Sequence, residues 1–492
     1  MGDVSTFLVG GYQHSHRDGP ADHPAAAMAA AAEAALHDAG VDPGDVDVLG
    51  CVEPISWNYA DLGAAVAEIF GLPGTVEHAW VPAGGTSPQD LLHQIGPRIA
   101  AGEIHCAVLC GAESMRTRRR AARSGETLDW PERATDVDPM RGQGPFTSEL
   151  ERAHGLRAPI QLFPLFENAL RSAHGRSADE QRHVAAALLA ANARVAAGNP
   201  HAWFQDAPTA QEIEAVSPDN RMIVYPYTKR MNAIMDVDQC AAIIVASGSF
   251  LEKRGLLERS AAILGGAGAE EIWNPIERNS FTTCPAMALA FETALGRAGV
   301  AADELDAMDL YSCFPSAIEL ALEALEIQAD RPLTLTGGLA FAGGPGNAYV
   351  LHALAAAHDR IRAQSDAKLL VTGIGMANTK HAATVLTGAA HVPSGATGEM
   401  TYREPRDERP KPVDPHPEGP SEIRTWTIEY DRDGAPASCI LLLDLDDGSR
   451  TIANLREPVA DAGELLRADP IGRRGHVAHD AEANRNFFRF DP

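Results

Sequence analysis

The chain repeats itself at one fixed spacing. The segment Glu33-Ala-Ala-Leu-His-Asp-Ala-Gly-Val-Asp-Pro-Gly-Asp-Val-Asp47 returns 259 positions later as Glu292-Thr-Ala-Leu-Gly-Arg-Ala-Gly-Val-Ala-Ala-Asp-Glu-Leu-Asp306, with seven of fifteen residues identical. At the same spacing, Gly84-Gly85 followed by Leu92-His93 becomes Gly343-Gly344 followed by Leu351-His352. A period this long is no solenoid unit; it implies two copies of a whole α/β unit. Two such halves meet at a seam, and the seam is where a site is expected.

Each copy follows one plan. A helix at about 25–39, and again at about 285–298, ends on a glycine suited to a left-handed cap. An acidic loop leads to an apolar strand, Val46–Val52 in the first copy and Leu305–Tyr311 in the second. Gly-Gly then opens a further helix, at about 87–101 and about 347–363, followed by the strands Ala107–Cys110 and Lys368–Thr372. Near-continuous apolar strands alternating with helices predict a sheet covered on both faces. The closing strands also correspond, Cys240–Val245 with His381–Leu386, but at a spacing of 141, so the first copy holds 118 extra residues within about 115–235. That excursion opens with Arg116, Arg118, Arg119, Arg120 and Arg123, runs through a helical stretch over Glu180–Ala197, and closes near Tyr225–Arg230. It reads as a lid or substrate-binding insertion.

The expected domains are thus 1–250 and 251–392, a linker over 393–420 and a further domain over 421–492. In the linker, Pro405, Pro410, Pro412, Pro415, Pro417 and Pro420 predict an extended segment outside the core. Beyond it, Ile423–Tyr430, Ala437–Leu445 and Arg450–Leu455 are separated by Asp433-Gly434 and Asp447-Gly448, the signals of hairpins in a small β-rich domain.

Composition removes several function classes. A net charge of −26, from 41 basic and 67 acidic residues, argues against a nucleic-acid or anionic-membrane surface. No apolar run is long enough to cross a bilayer. The seven cysteines are scattered without a Cys-x-x-Cys pair, which fits reduced thiols in the cytoplasm. His14, His16 and His23 lack metal-ligand spacing, and no metal is expected.

Four stretches carry a family resemblance: Cys110-Gly-Ala-Glu-Ser-Met115, Asp236-Val-Asp-Gln-Cys-Ala-Ala242, Asp309-Leu-Tyr-Ser-Cys-Phe-Pro315 and Gly337-Gly-Leu-Ala-Phe-Ala-Gly-Gly-Pro-Gly346. With the duplicated core and its insertion, they resemble the thiolase superfamily over roughly residues 4–392. The resemblance is strongest to thiolase-like proteins described as acetyl-CoA acetyltransferases that carry an additional C-terminal domain. It implies two α/β/α/β/α-layered halves, an insertion in the first, and a small OB-like C-terminal domain. It also implies CoA or acyl-CoA as ligand, no covalently bound cofactor, and a homodimer or an accessory protein partner.

Thiolase chemistry uses a nucleophilic cysteine at a helix N-terminus, a second cysteine as acid/base, and N–H donors for the thioester oxygen. The family's Cys-x-Ser-Gly loop falls within Gly84-Gly85-Thr86-Ser87-Pro88-Gln89, which has no thiol. Ser87 either caps the helix ahead of Pro88 or stands in as nucleophile. The Gly-His-Pro motif falls on Gly343-Gly344-Pro345 and loses its histidine. The motif read as His-Asp-Cys-Phe in sterol-carrier-type thiolases is Tyr311-Ser312-Cys313-Phe314. Cys313 thereby matches the acid/base cysteine, and Tyr311 the family's His or Asn. The Cys-x-Gly loop is Thr372-Gly373-Ile374-Gly375, again without a thiol, with Asn378 and His381 close behind.

The implied catalytic candidates are Cys313, His381 and Ser87. Gly84, Gly85, Gly344, Gly375 and Tyr311 would surround the thioester, and Arg116 and Arg119 would meet CoA's phosphates. Two functions follow: an acyl-CoA acyltransferase of altered mechanism, or a non-catalytic acyl-CoA-binding protein or accessory subunit.

Overall fold

The computed structural model describes residues 4–138 and 141–491. The first copy runs through β1 (Thr6–Ser15), α1 (Pro24–Ala39), β2 (Val48–Cys51), α2 (Leu62–Phe70), β3 (Glu77–Ala79), α3 (Ser87–Ala100) and β4 (Cys106–Ser114). The chain then leaves the core through α4 (Met115–Ser124), α5 (Glu149–Ala153), α6 (Pro159–Ala173), α7 (Ala178–Gly198), α8 (Ala210–Glu214), β5 (Met222–Val224) and β6 (Tyr227–Thr228), and returns on β7 (Asp238–Ser247). After α9 (Gly248–Arg254) the second copy comprises β8 (Ala261–Glu270), α10 (Pro285–Ala298), β9 (Ala307–Asp309), α11 (Pro315–Leu325), α12 (Tyr349–Ala363), β10 (Leu369–Gly375) and β11 (Lys380–Gly388). A strap carrying β12 (Met400–Thr401) leads to β13 (Glu418–Tyr430), β14 (Pro436–Leu445), β15 (Arg450–Asn454), α13 (Pro458–Arg467), β16 (Arg474–Asp480) and β17 (Arg485–Phe490). No helix among the described residues is long and apolar enough to cross a membrane.

The duplication is written in the hydrogen bonding. In the first copy the strand order is β2-β4-β7-β1, with β2 parallel to β4 and β7 antiparallel to both its neighbours. In the second, β9-β10-β11-β8 repeats the pattern, β9 parallel to β10 and β11 antiparallel to both neighbours. Two residue pairs between β1 and β8 join the copies. Every residue of β4, β7, β10 and β11 is buried, the reason these strands read as unbroken apolar runs.

Helix-on-strand packing repeats as well. A Cβ at Gly10 of β1 would stand 2.7 Å from Ala35 O and 2.6 Å from Ala39 Cβ, and one at Gly265 of β8 would stand 2.9 Å from Ala294 O and 3.0 Å from Ala298 N. The helix residues in these two contacts are the same 259 positions apart. Both helices end on left-handed glycines, Gly40 at φ 69° and Gly299 at φ 61°. A side chain there would cost about 1–2 kcal/mol.

At the C-terminal end, β13 pairs with both β14 and β16, closing β13-β14-β15-β17-β16 into a five-strand barrel. Trp426, Ile428, Leu441, Leu443, Val477 and Phe488 fill its interior. The barrel is tied to the insertion: Glu429 pairs with Val224 of β5, Asn168 of α6 donates to Trp426 O at 2.8 Å, and the Thr425 hydroxyl donates to Leu165 O at 2.6 Å.

The Pro-rich segment 393–420 departs from the expected free linker, because part of it belongs to the core. Its β12 pairs with β8, and Met400 is buried against α3, where a Cβ at Gly96 would come within 2.1 Å of Met400 Cε. Arg403 bonds Asp90 at 2.8 and 3.1 Å and Glu270 at 2.8 Å. Asp90 is fully buried in α3 and needs a cation, which the strap supplies.

A second buried polar seam lies between α6, α7 and α11. The Gln181 amide bridges Glu167 and Glu319; Tyr227 donates to Glu167 at 2.6 Å, and Arg176 pairs with Glu319 at 2.6 Å. Burial first, and the charge of Glu319 second, push Glu167 up to about 8. Between its ordinary 4.5 and about 8, the folded protein keeps this proton while the unfolded chain releases it. The unfolded state then binds fewer protons, so this group's contribution to stability falls as pH rises through that window. The slope is at most about 1.4 kcal/mol per pH unit. Glu167→Gln is expected to remove it. In urea denaturation at several pH values between about 5 and 7, the wild type should lose stability relative to the variant by about 1 kcal/mol per unit; parallel pH profiles would contradict the assignment.

Candidate functional site: a cavity at the seam

A cavity of about 720 Å³ lies where the two copies and the insertion meet. It opens at the C-terminal ends of β2, β9 and β10, the end of parallel strands at which α/β sheets receive ligands. The core contributes Gly84, Gly85, Tyr311, Cys313, Ile374 and Met376; the insertion contributes Phe146, Ile160 and Phe163 among others. Glu113, buried on β4, accepts from the N–H groups of Ile55 and Ser56 at 2.6 and 2.8 Å and so fixes the rim segment after β2.

Gly84 and Gly85 lead into α3. Among the described residues their N–H groups have no protein acceptor, and both glycines line the cavity just ahead of the helix's positive end. Thr86 takes the N-cap position and its hydroxyl donates to Asp90 at 2.8 Å. Ser87 is the first helical residue and is neither cap nor nucleophile. Its hydroxyl donates to Gly84 O at 2.7 Å and Pro82 O at 3.1 Å, is fully buried, and does not line the cavity. The reason is local: the serine closes the glycine turn from behind.

Gly85 leaves no room for a side chain. A Cβ there would lie 2.1 Å from Ile374 O and 2.4 Å from Tyr311 Oη. The space a nucleophile would need is held by the tyrosine and by the end of β10. Tyr311 is anchored through its N–H to Thr372 Oγ1 at 2.9 Å, and its ring stands edge-on to Tyr349 at 5.5 Å. The Tyr349 hydroxyl is held in turn by Asp309 at 2.9 Å.

Cys313 lines the cavity and is partly exposed to it. Burial pushes its thiol up; burial, then the nearby Cys313, does the same to the Tyr311 hydroxyl. Both groups are therefore protonated in the main at neutral pH. Gly344 also lines the cavity, but its N–H donates to Ile234 O at 2.8 Å. The second glycine turn therefore does not mirror the donors of the first. Gly375 ends β10 behind the wall, where a Cβ would meet Lys380 Cβ at 3.1 Å; its neighbours Ile374 and Met376 do the lining.

His381 lies outside the cavity. It is fully buried, with Nε2 3.2 Å from Cys284 Sγ and 3.2 Å from Asn378 O. Burial, outweighing the Glu271 carboxylate, lowers it to about 4. Strand alternation explains the placement: Lys380 points toward the glycine turn, its Nζ donating to Ala83 O at 3.0 Å, so the next residue of β11 faces away.

The arginines are redistributed too. Arg116 donates to Arg17 O at 2.6 Å and stacks over Trp203 at 5.3 Å, and Arg119 pairs with Asp236 at 3.5 Å; neither lines the cavity. Arg133 and Arg141 do. Arg141 is paired with Glu53 and stacked over Trp80 at 4.7 Å. Arg118 is half-buried beside Arg133, and burial together with the Arg133 and Arg119 charges lowers its pKa. Among the described residues, Arg133 on the cavity lining and Arg118 beside it have no ion-pair partner. The cavity residues Arg133, Arg141, Asn232 and Asn347 carried no signal in the sequence, because no motif or repeat spacing marks them.

Residues 405–482 match the family described as thiolase-like protein type 1 additional C-terminal domain. No curated protein matches the chain. Among solved structures, the chain is similar to a monomeric SCP2-thiolase-like protein type 1 from Mycobacterium smegmatis, with 28% identity, a TM-score of 0.81 and 99% of each chain covered. It is similar in fold to the Ltp2-ChsH2(DUF35) aldolase, with 20% identity, a TM-score of 0.61, and 78% of this chain and 98% of that one covered. Acetyl-CoA acetyltransferase from Syntrophomonas wolfei shares the fold at 17% identity and a TM-score of 0.57, over 78% of this chain and 99% of its own. Residues 405–482 thus match the additional C-terminal domain of thiolase-like proteins of type 1, and the chain is similar from end to end to an SCP2-thiolase-like protein of that type.

Proposed function

We propose that the protein binds a CoA thioester in the seam cavity and acts on its acyl group by proton transfer, without an acyl-enzyme. The observation that carries this reading is Gly85, where Tyr311 and Ile374 occupy the space of a nucleophile. The thioester oxygen sits on the free N–H groups of Gly84 and Gly85, which hold the negative charge that collects there during reaction. Arg118 and Arg133 take the phosphates at the mouth.

In acyl transfer of this direct kind, the carbanion of one thioester attacks the carbonyl of a second. A carbon–carbon bond forms, the C–S bond breaks, and CoA leaves as its thiol. The proton lost from the attacking carbon is taken by the thiolate of Cys313, a minor form at neutral pH, and the same proton then passes from the Cys313 thiol to the departing sulfur, so the relay ends as it began. Tyr311 donates a hydrogen bond beside it. One similar structure is named an acetyltransferase and another an aldolase, which supports carbon–carbon chemistry on this fold. A second reading, a non-catalytic acyl-CoA binder, is favoured by one observation: both protic groups at the carbonyl are held protonated.

Calorimetric titration with CoA and short acyl-CoAs, coupled to turnover assays, separates the two. Cys313→Ala is expected to leave binding intact and to slow turnover by about 10²-fold. Acetoacetyl-CoA thiolysis by the wild type should remain at background. Efficient thiolysis unaffected by Cys313→Ala would overturn the proposal; binding with no turnover of any thioester would decide for the binder.

A further inference from the structure

We infer that the acyl group this cavity takes is a bulky hydrocarbon, of roughly ten carbons or more, rather than acetyl; the inference rests on the thioester reading of the site. The volume comes first. At about 720 Å³ the cavity lies among pockets that enclose drug-sized ligands. An acetyl group would leave most of it filled with water against apolar walls, an unfavourable state.

The chemistry of the walls says which part of a thioester fills them. A pantetheine arm carries two amides that need hydrogen-bond partners when buried. The side built by Phe146, Pro159, Ile160, Phe163 and Phe314 is hydrocarbon throughout, so it suits the acyl chain instead. The apolar surface continues outward: Ile55 and Met235 line the cavity, yet remain 42% and 40% exposed at its rim. A hydrocarbon chain leaving the cavity on that side would cover both.

This wall is also braced. Phe163 stacks on Phe314 with ring centres 4.6 Å apart. From the far side, α6 is held by the barrel through the bonds of Asn168 and Leu165 to β13. The additional C-terminal domain thereby ties down the helix that shapes the acyl pocket.

The test is titration of the full-length protein with CoA, acetyl-CoA, decanoyl-CoA, 1-naphthylacetyl-CoA and free decanoate. Each buried methylene is worth about threefold in affinity. Decanoyl-CoA is therefore expected to bind at least about thirtyfold more tightly than acetyl-CoA. Ile160→Trp, which fills the pocket, should remove at least about tenfold of that gain while CoA itself binds as before. If that variant has a lowered Tm, Met235→Trp at the exposed rim serves the same purpose. Equal affinities for acetyl-CoA and decanoyl-CoA, with CoA binding present, would overturn the inference and leave the thioester reading standing. Decanoate bound with no affinity for any CoA compound would do the reverse, keeping the apolar pocket and removing CoA. Failure of every ligand to bind would overturn both.

Discussion

Arg403→Ala is expected to destabilise the protein by about 3–5 kcal/mol. Asp90 sits wholly inside α3 and accepts hydrogen bonds from the Thr86 hydroxyl and twice from Arg403. Deleting the guanidinium leaves a buried carboxylate with one hydroxyl donor and only the more distant Lys380 ammonium as countercharge. The loss reaches the site, because Asp90 holds Thr86, and Thr86 follows the two glycines that line the cavity. Urea denaturation should therefore show a large fall in midpoint, and titration should show weakened thioester binding in whatever remains folded. Arg403→Ala combined with Asp90→Asn should recover more than half of the lost stability, since the second change removes the stranded charge. A loss below about 1 kcal/mol would mean that the strap is dispensable and that the pair is merely a surface contact.

Gly85→Cys sets a thiol two residues ahead of Ser87, the spacing of the family's Cys-x-Ser-Gly loop, and it is expected to fail as a nucleophile. The new Cβ meets Ile374 O at 2.1 Å and Tyr311 Oη at 2.4 Å. One of these atoms is backbone, so relief requires moving the end of β10 and the loop after it, where Met376 and Asn378 already sit at positive φ of 59° and 57°. Overpacking of this kind costs about 1–3 kcal/mol, and a backbone clash belongs at the upper end. Adding Tyr311→Ala removes only the side-chain half of the clash, so the double variant should regain part of the stability and still form no acyl-enzyme. A Gly85→Cys protein with unchanged Tm that becomes acylated by acetyl-CoA would contradict this account.

Much of the fold was legible because duplication prints the same packing problem twice. Gly40 and Gly299, Ala35 and Ala294, and the two Gly-Gly turns sit at one spacing, and the paired strand orders follow from them. The strap was misread because prolines describe local stiffness, whereas Arg403 and Met400 answer to partners in α3 and β8 some three hundred and one hundred thirty residues away (Asp90 and Glu270). The closing strands β16 and β17 passed unnoticed since each exchanges apolar residues with charged ones over a short span.

At the site, motif positions placed Tyr311, Cys313, Gly84, Gly85 and Gly344 on one cavity. The same positions misplaced Ser87 and His381, because motif spacing does not say which way a side chain turns. Ser87 satisfies two carbonyls behind the turn, and strand alternation sends His381 to Cys284. Gly344 shows a further limit: it reaches the cavity with its N–H already spent on Ile234. Insertions carry no repeat to compare, so Arg133 and Arg141 were beyond sequence reasoning.

The central claim is that this seam receives a thioester and forms no covalent bond with it. Intact-protein mass spectrometry after incubation with a saturating acyl-CoA, with saturation established by calorimetry, tests it most directly. The account predicts a saturable binding isotherm and an unchanged protein mass. An added acyl mass that maps to Cys313 or Ser87 would contradict it.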